Sequence, residues 1–307
     1  MEENKYDFIV IGGGCAGPSG AMYGARLNLK TLMIADVPGG LITTTHIVEN
    51  WPGIISTSGP ELGMALWEHA KAAGADTKNA TVTELLKADD GGYIVKTRKD
   101  EFYGKTILIG TGTKHRELGA PGEQEFKNKG VSYCALCDGA FFKNKIVCVV
   151  GGGDSAAKEA LFLSEHASKV YIIVRKDYMR AEPRNMDLVN QSDKIEVLYE
   201  EQVTEVLGGD SVEKIRLKSG KEVEMQGVFV AIGHIPMTEL AKHLGVELND
   251  HNEIIINRRS ETNLPGVYAA GDCCDTAFKQ AITGSAEGVT ASYYAFEYVK
   301  NNEVKPM

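Results

Sequence analysis

Residues 6–17 read YDFIVIGGGCAG, six mostly apolar positions that run without a break into a glycine cluster. An unbroken apolar run closed by glycines is the pattern of a parallel strand buried on both faces. The spacing Gly12-x-Gly14-x-x-Gly17 then predicts a tight turn, a helix from Pro18 to Leu27, and a second strand over 31–35 (TLMIA). In that context each glycine has a separate reason. The first permits the turn, the second lets backbone approach a pyrophosphate, and the third lets helix and strand pack closely, with the helix N-terminus facing the anion. Pro18 is tolerated because the first helical N–H groups lack intrahelical partners anyway. Ala35 occupies the position of a ribose-binding acid, which leaves Asp36, one residue on, as the expected ribose contact. Cys15, inside the loop, is read as a small side chain beside the anion with no catalytic role.

The pattern returns in the middle of the chain. Residues 146–150 (IVCVV) predict a strand, Gly151-x-Gly153-x-x-Ala156 a turn, Ala157 to Ser168 a helix, and 170–174 (VYIIV) the next strand. Alanine at the packing position is a variant that the fingerprint permits. Arg175, Lys176 and Arg180 follow, where an adenosine ribose should lie. An acid there would hold a free 2′-hydroxyl and repel a 2′-phosphate; a basic cluster does the reverse, which favours NADPH over NADH. Two such units imply two nucleotides, FAD held and NADPH exchanging. A flavin accepts a hydride and passes electrons to a disulfide, which an isolated nicotinamide does poorly.

At 307 residues the chain exceeds the usual size of one hydrophobic core, and 43% apolar with 24% charged residues suits a globular α/β protein. A net charge of -9 offers no basic stripe for nucleic acid. The short apolar run near the N-terminus reads as a buried strand rather than a signal peptide or membrane span, so a cytoplasmic location is expected. A further strand, Val228 to Ile232, and then GVYAAGD (266–272) ahead of a long amphipathic stretch look like a return to the first domain. The expectation is an α/β fold with two Rossmann-like dinucleotide-binding domains, the second inserted in the first. Residues 1–114 and 243–307 would bind FAD, and 115–242 NADPH. Thr111-Gly112-Thr113 with the Gly119-to-Gly122 turn, and the region around Pro236, are the soft boundaries.

The inserted segment begins near YCALCDG (133–139). Six cysteines are too sparse for a disulfide scaffold in a reducing compartment, where CxxC is more often catalytic or metal-binding. A zinc site needs two further ligands, and the adjacent Cys273 and Cys274 are poorly placed for tetrahedral geometry, so no metal is expected. That leaves Cys134 and Cys137 as a thiol–disulfide exchange pair. Asp138 beside them is either an acid for a leaving thiolate or half of an Asp-Gly turn, and spacing alone does not choose.

Taken in order, GGGCAG, GGLITTTHIVENWPG, YCALCDG, GGGDSAAKEA, RAE, AIGHIP, GVYAAGD and KQAIT closely resemble the low-molecular-weight thioredoxin reductases over nearly the whole chain. The resemblance implies a homodimer that moves electrons from NADPH to FAD, to its own cysteine pair, and then to thioredoxin or a thioredoxin-like protein. It implies FAD contacts at Gly12, Gly13, Gly14, Cys15, Ala16, Gly17, Asp36, Gly39, Gly40, Leu41, Thr45, Asn50, Gly112, Gly271, Asp272, Lys279, Gln280 and Ala281. It places NADPH on Gly151, Gly153, Asp154, Ser155, Ala156, Arg175, Lys176 and Arg180. The redox pair would be Cys134 and Cys137, with Cys137 nearer the flavin and Asp138 the acid, and the NADPH domain would rotate between two working states. A helix opening near Gln280 would turn its positive end to the flavin.

Three features of the sequence depart from the family pattern. The nicotinamide box, usually His-Arg-Arg with a later Arg, reads Val174, Arg175, Lys176 and Arg180. Leu41 replaces a common glutamine, and Cys273-Cys274 is read as two small buried side chains. The tail carries no second redox pair. The readings left open beside NADPH are another donor, such as NADH, ferredoxin or a deazaflavin, and a non-catalytic flavin redox sensor.

Overall fold

The computed structural model describes residues 4–45 and 48–302, apart from the side chains of Leu136 and Cys137. The chain forms two compact units, an outer one from Met1–Lys114 and Pro236–Met307 and an inserted one from His115–Ile235. No described helix is long and apolar enough to cross a membrane.

The outer unit opens with strand β1 (Lys5–Ile11), helix α1 (Ala16–Arg26) and strand β2 (Thr31–Ala35). A 3-10 turn (Gly40–Thr44) leads to helix α2 (Gly59–Ala72), held at its start by a reciprocal capping pair of Ser58 and Glu61. Strands β3 (Asp76–Asn79), β4 (Val82–Lys87), β5 (Tyr93–Thr97) and β6 (Glu101–Ile109) follow. In the sheet the order is β3-β2-β1-β6-β5-β4. The β1, β2, β3 and β6 pairings are parallel, whereas β4, β5 and the first half of β6 make an antiparallel meander.

The chain crosses into the inserted unit along β7 (Thr113–His115). There it forms β8 (Val131–Ser132), a short helix α3 (Ala135–Asp138), β9 (Ile146–Val150), α4 (Asp154–His166), β10 (Lys169–Val174), α5 (Pro183–Gln191) and β11 (Ile195–Tyr199). An antiparallel set β12 (Val203–Gly208), β13 (Val212–Leu217) and β14 (Glu222–Glu224) precedes β15 (Gly227–Val230). The central sheet, β11-β10-β9-β15-β8, is parallel throughout. The return strand β16 (His234–Pro236) pairs with β7, and α6 (Glu239–Leu244), β17 (Val267–Ala269) and α7 (Ala281–Asn302) complete the outer unit.

Strand alternation sorts the cores. Phe8, Val10 and Leu108 face the helical side with Ala21 and Ala291, whereas Ile9, Ile107 and Ile109 face the other side with Leu85 and Ile254. In the inserted unit Val147 and Val149 pack with Ala156, Ala160 and Leu163, and Cys148 and Val150 pack over Ile215 and Leu217. Residues 236–242 join the outer unit rather than the inserted one, because Ala241 and Leu244 of α6 pack with Leu85.

Both glycine-loop helices begin earlier than the sequence pattern suggests, at Ala16 and Asp154, because the third position of each fingerprint is already in the first helical turn. Strand β15 spans Gly227–Val230, offset from the expected 228–232. Helices α1 and α7 meet through small residues: a Cβ on Gly288 would lie 2.2 Å from the Ala16 carbonyl oxygen, and Ser292 Oγ donates to Gly20 O at 2.7 Å.

Candidate functional site

The two glycine turns are built alike. The Gly12 N–H donates to Ile34 O at the end of β2 at 2.9 Å, and a Cβ on Gly12, whose φ is +124°, would sit 2.0 Å from Gly110 O. The Gly151 N–H donates to Ile173 O at 3.1 Å, and a Cβ there would sit 2.2 Å from Ala231 O. Each turn is thus wedged between the ends of neighbouring strands. A Cβ on Gly17 would fall 2.0 Å from Gly12 O, which explains the third glycine as a packing residue. In contrast, a Cβ on Gly14 or Gly153 would meet nothing within 4 Å. No side chain caps α1 or α4, so their first N–H groups are available to an anion. Open space over a glycine beside an uncapped helix start fits a dinucleotide pyrophosphate in both units.

Of the remaining expected flavin contacts, Gly40 and Gly271 lie directly against the first turn and the start of α1. Asp36 is exposed directly after β2. Gly40, at φ +62°, lies so close to the loop that a Cβ would be 2.5 Å from Gly14 Cα, which brings Gly39 and Leu41 alongside. Thr45 ends the 3-10 turn and accepts the Gly59 N–H at 3.0 Å. Asn50 Nδ2 donates to Gln280 Oε1 at 2.9 Å, joining two expected contacts from opposite ends of the chain. The Gln280 carbonyl accepts from Gly284 and closes the first turn of α7, which begins at Ala281. Gly112 O accepts the Met237 N–H at 2.9 Å.

Asp272 and Lys279 meet through backbone, with Lys279 Nζ donating to Asp272 O at 3.0 Å while it is ion-paired with Glu253. Glu287 of α7 accepts the Gly271 N–H at 2.8 Å and the Thr276 hydroxyl at 2.5 Å, so it ties this loop to the helix. Sequence reasoning passed over Glu253 and Glu287, because one acid in a polar stretch carries no local signal. Burial, then the neighbouring Asp272, pushes the Cys15 thiol up to about 12, which keeps it protonated and unreactive at neutral pH.

In the inserted unit Arg175, Lys176 and Arg180 are all exposed just beyond β10. The Arg180 N–H donates to Gly152 O at 2.6 Å, so the backbone of Arg180 lies against the second glycine turn. Lys176 Nζ donates to Tyr178 Oη at 2.9 Å. The Asp154 carboxylate is engaged locally: Oδ1 accepts from Glu182 N and Asn185 Nδ2, and Oδ2 pairs with Lys158, so it braces α5. Ser155 is exposed, and Ala156 is buried in the helix–sheet contact. Three residues further along α4, Glu159 Oε2 is sealed from solvent with no hydrogen-bond partner among the described residues. Burial alone pushes that carboxyl up to about 8.

Cys134 is disulfide-bonded, and Cys15, Cys148, Cys273 and Cys274 are free thiols. The side chain of Cys137, the expected partner, lies outside the described residues. Cys134 immediately precedes α3, and its carbonyl accepts the Asp138 N–H at 3.2 Å and the Ser132 hydroxyl at 3.3 Å. Ser132 Oγ also accepts the Cys134 N–H at 3.1 Å. Cys273 and Cys274 are fully buried, with sulfurs 3.9 Å apart.

The model of the pyridine nucleotide-disulphide oxidoreductase family matches residues 6–288. The chain is 38% identical over 306 residues to a thioredoxin reductase of Bacillus subtilis (strain 168), covering 97% of this chain and 96% of that protein. It superposes on the crystal structure of Lactococcus lactis thioredoxin reductase with a TM-score of 0.92 at 37% identity, covering 96% and 99% of the two chains. The T. acidophilum thioredoxin reductase structure gives 0.90 at 34% identity, covering 96% and 98%.

Proposed function

Because the chain belongs to the pyridine nucleotide-disulphide oxidoreductase family, we propose that it is a thioredoxin-disulfide reductase. It passes electrons from NADPH through FAD to a Cys134–Cys137 disulfide, and from there to thioredoxin or a thioredoxin-like protein. The observation that carries the reading is the joint presence of two matching dinucleotide turns and a disulfide-bonded Cys134 at the head of the inserted unit. The outer unit holds FAD and the inserted unit holds NADPH.

Residues of this chain then have definite tasks. The start of α1, opened by Gly14, holds the flavin pyrophosphate, and Asp36 takes the adenosine ribose. Asn50, Gln280 and the Asp272–Lys279 loop frame the flavin end. The start of α4, opened by Gly153, holds the second pyrophosphate, and Arg175, Lys176 and Arg180 read a 2′-phosphate. Bound flavin supplies a group that accepts a hydride and delivers an electron pair to a disulfide. Two electrons and two protons open the Cys134–Cys137 bond to two thiols, Asp138 protonating the thiolate as it leaves. The thiols then reduce an external disulfide by exchange and close again. The working molecule is a cytoplasmic homodimer.

A second reading, another electron donor on the same scaffold, is favoured by Val174 and Lys176 in place of His and Arg. Mixing the protein anaerobically with NADPH and separately with NADH, while following the flavin absorbance, separates the two. Rapid bleaching by NADPH at low concentration supports the proposed donor, and preference for NADH, or bleaching by neither, moves the assignment.

A further inference from the structure

Glu123 is a carboxylate with 2% of its surface exposed, and it accepts three hydrogen bonds, each at 2.6 Å, from Leu118 N, Gly119 N and the Tyr133 hydroxyl. A buried acid is stable as a structural element only when donors of this kind surround it. Two of the donors belong to the turn that begins the inserted unit. The third belongs to the residue immediately before Cys134. The tyrosine ring is held on its other sides as well, with His115 6.1 Å away and Lys127 Nζ 5.4 Å from the ring centroid. Burial, together with the bond to Glu123, raises the Tyr133 phenol, so it stays a donor.

The Glu123 turn is itself fixed. The Val206 N–H donates to Pro121 O at 2.9 Å, and a Cβ on Gly122 would lie 2.0 Å from Val206 O, so the turn sits directly on β12. On the other side of Tyr133, Ser132 clasps the Cys134 backbone through both its N–H and its carbonyl. Cys134 therefore directly follows a residue whose side chain is bonded through Glu123 to the Leu118–Gly119 turn, and its own backbone is held by Ser132.

We propose that Glu123 and Tyr133 are positioning residues for the redox disulfide, coupling the location of Cys134 to the Leu118–Gly119 turn. The inference rests on the proposed Cys134–Cys137 exchange pair and takes Cys134 as its attacking cysteine. Its chemistry is the ordinary exchange: the thiolate of the reduced pair attacks the external disulfide, one substrate thiolate leaves, and the second thiol of the pair resolves the mixed disulfide. The positioning residues change no bond in this sequence. They fix where the attacking sulfur starts, which affects the rate at saturation and not the affinity for the partner.

The test uses whole protein reduced by dithiothreitol, freed of excess reductant and mixed with oxidised thioredoxin over a range of concentrations. Tyr133→Phe removes one hydroxyl and keeps the ring. The expected result is a three- to tenfold lower saturating exchange rate, a half-saturating thioredoxin concentration within twofold of wild type, and an unchanged flavin content. Glu123→Leu, which removes the acceptor, should lose at least as large a factor, and the double variant little more than Glu123→Leu alone, since both cut the Glu123–Tyr133 bond. Equal saturating rates in Tyr133→Phe and wild type would overturn the proposal, as would fully multiplicative losses in the double variant. Wild-type exchange is measured in the same series without any nicotinamide. Its absence would sink the thioredoxin reading itself, which keeps the two failures distinct.

Discussion

Asn50 Nδ2 donates a hydrogen bond of 2.9 Å to Gln280 Oε1, which brings the segment after the 3-10 turn against the first residue before α7. Both residues belong to the proposed flavin frame. Asn50→Leu keeps the size of the side chain and removes the donor, leaving Gln280 Oε1 unpaired. The loss of one neutral hydrogen bond is about 1 kcal/mol, so the flavin dissociation constant should rise roughly fivefold, read by fluorescence of released flavin on dilution.

The fingerprint glycines should separate by function. Gly17→Ala drives a methyl against the Gly12 carbonyl and should lower the stability of the protein by about 1–3 kcal/mol, measured by denaturant unfolding. Gly14→Ala adds a methyl in open space, so the apoprotein should unfold as wild type does while flavin retention falls. Loss of apoprotein stability in Gly14→Ala would argue against the cradle.

The same logic in the inserted unit predicts that Arg180→Ala raises the KM for NADPH about tenfold, as expected for loss of a charge-assisted contact, and leaves the KM for NADH within twofold. Steady-state assays with the two nucleotides make the comparison. Equal effects on both would mean that the cluster does not read a 2′-phosphate.

Glu159 sets a pH dependence whose sign follows from its burial. Its carboxyl is raised from 4.5 to about 8, so the folded state holds a proton that the unfolded state has released. Its contribution is intact below pH 4.5, declines as pH rises, and has been lost once pH passes 8. Glu159→Gln removes this ionisation. The variant should match wild type near pH 4.5 and gain on the order of a few kcal/mol at pH 8.5, because holding the proton across each pH unit of that window is worth about 1.4 kcal/mol. An unchanged slope of stability against pH in the variant would contradict the buried, unpaired carboxyl.

Much of the fold was legible because parallel strands and glycine turns leave local marks. YDFIVI and IVCVV are β1 and β9, and the glycines after them are the two turns. The basic residues were visible in the sequence as well, and the backbone of one of them, Arg180, is bonded to Gly152 of the second turn. What escaped were partnerships made across the chain. Glu123 reaches Tyr133, Glu287 reaches Gly271, and Lys279 spends its charge on Glu253, none of them at a spacing that a helix or strand period exposes. The bracing of α5 by the Asp154 carboxylate escaped as well, because its partner Asn185 is reached only after the chain has passed through β10.

The most direct test of the central claim compares wild type with Cys134→Ser in two assays, anaerobic flavin reduction by NADPH and NADPH-driven reduction of thioredoxin. If the disulfide relays the electrons, the variant still bleaches with NADPH at the wild-type rate but reduces thioredoxin at least a thousandfold more slowly, a loss of about 4 kcal/mol in the barrier. Thioredoxin turnover retained by Cys134→Ser would contradict the disulfide relay.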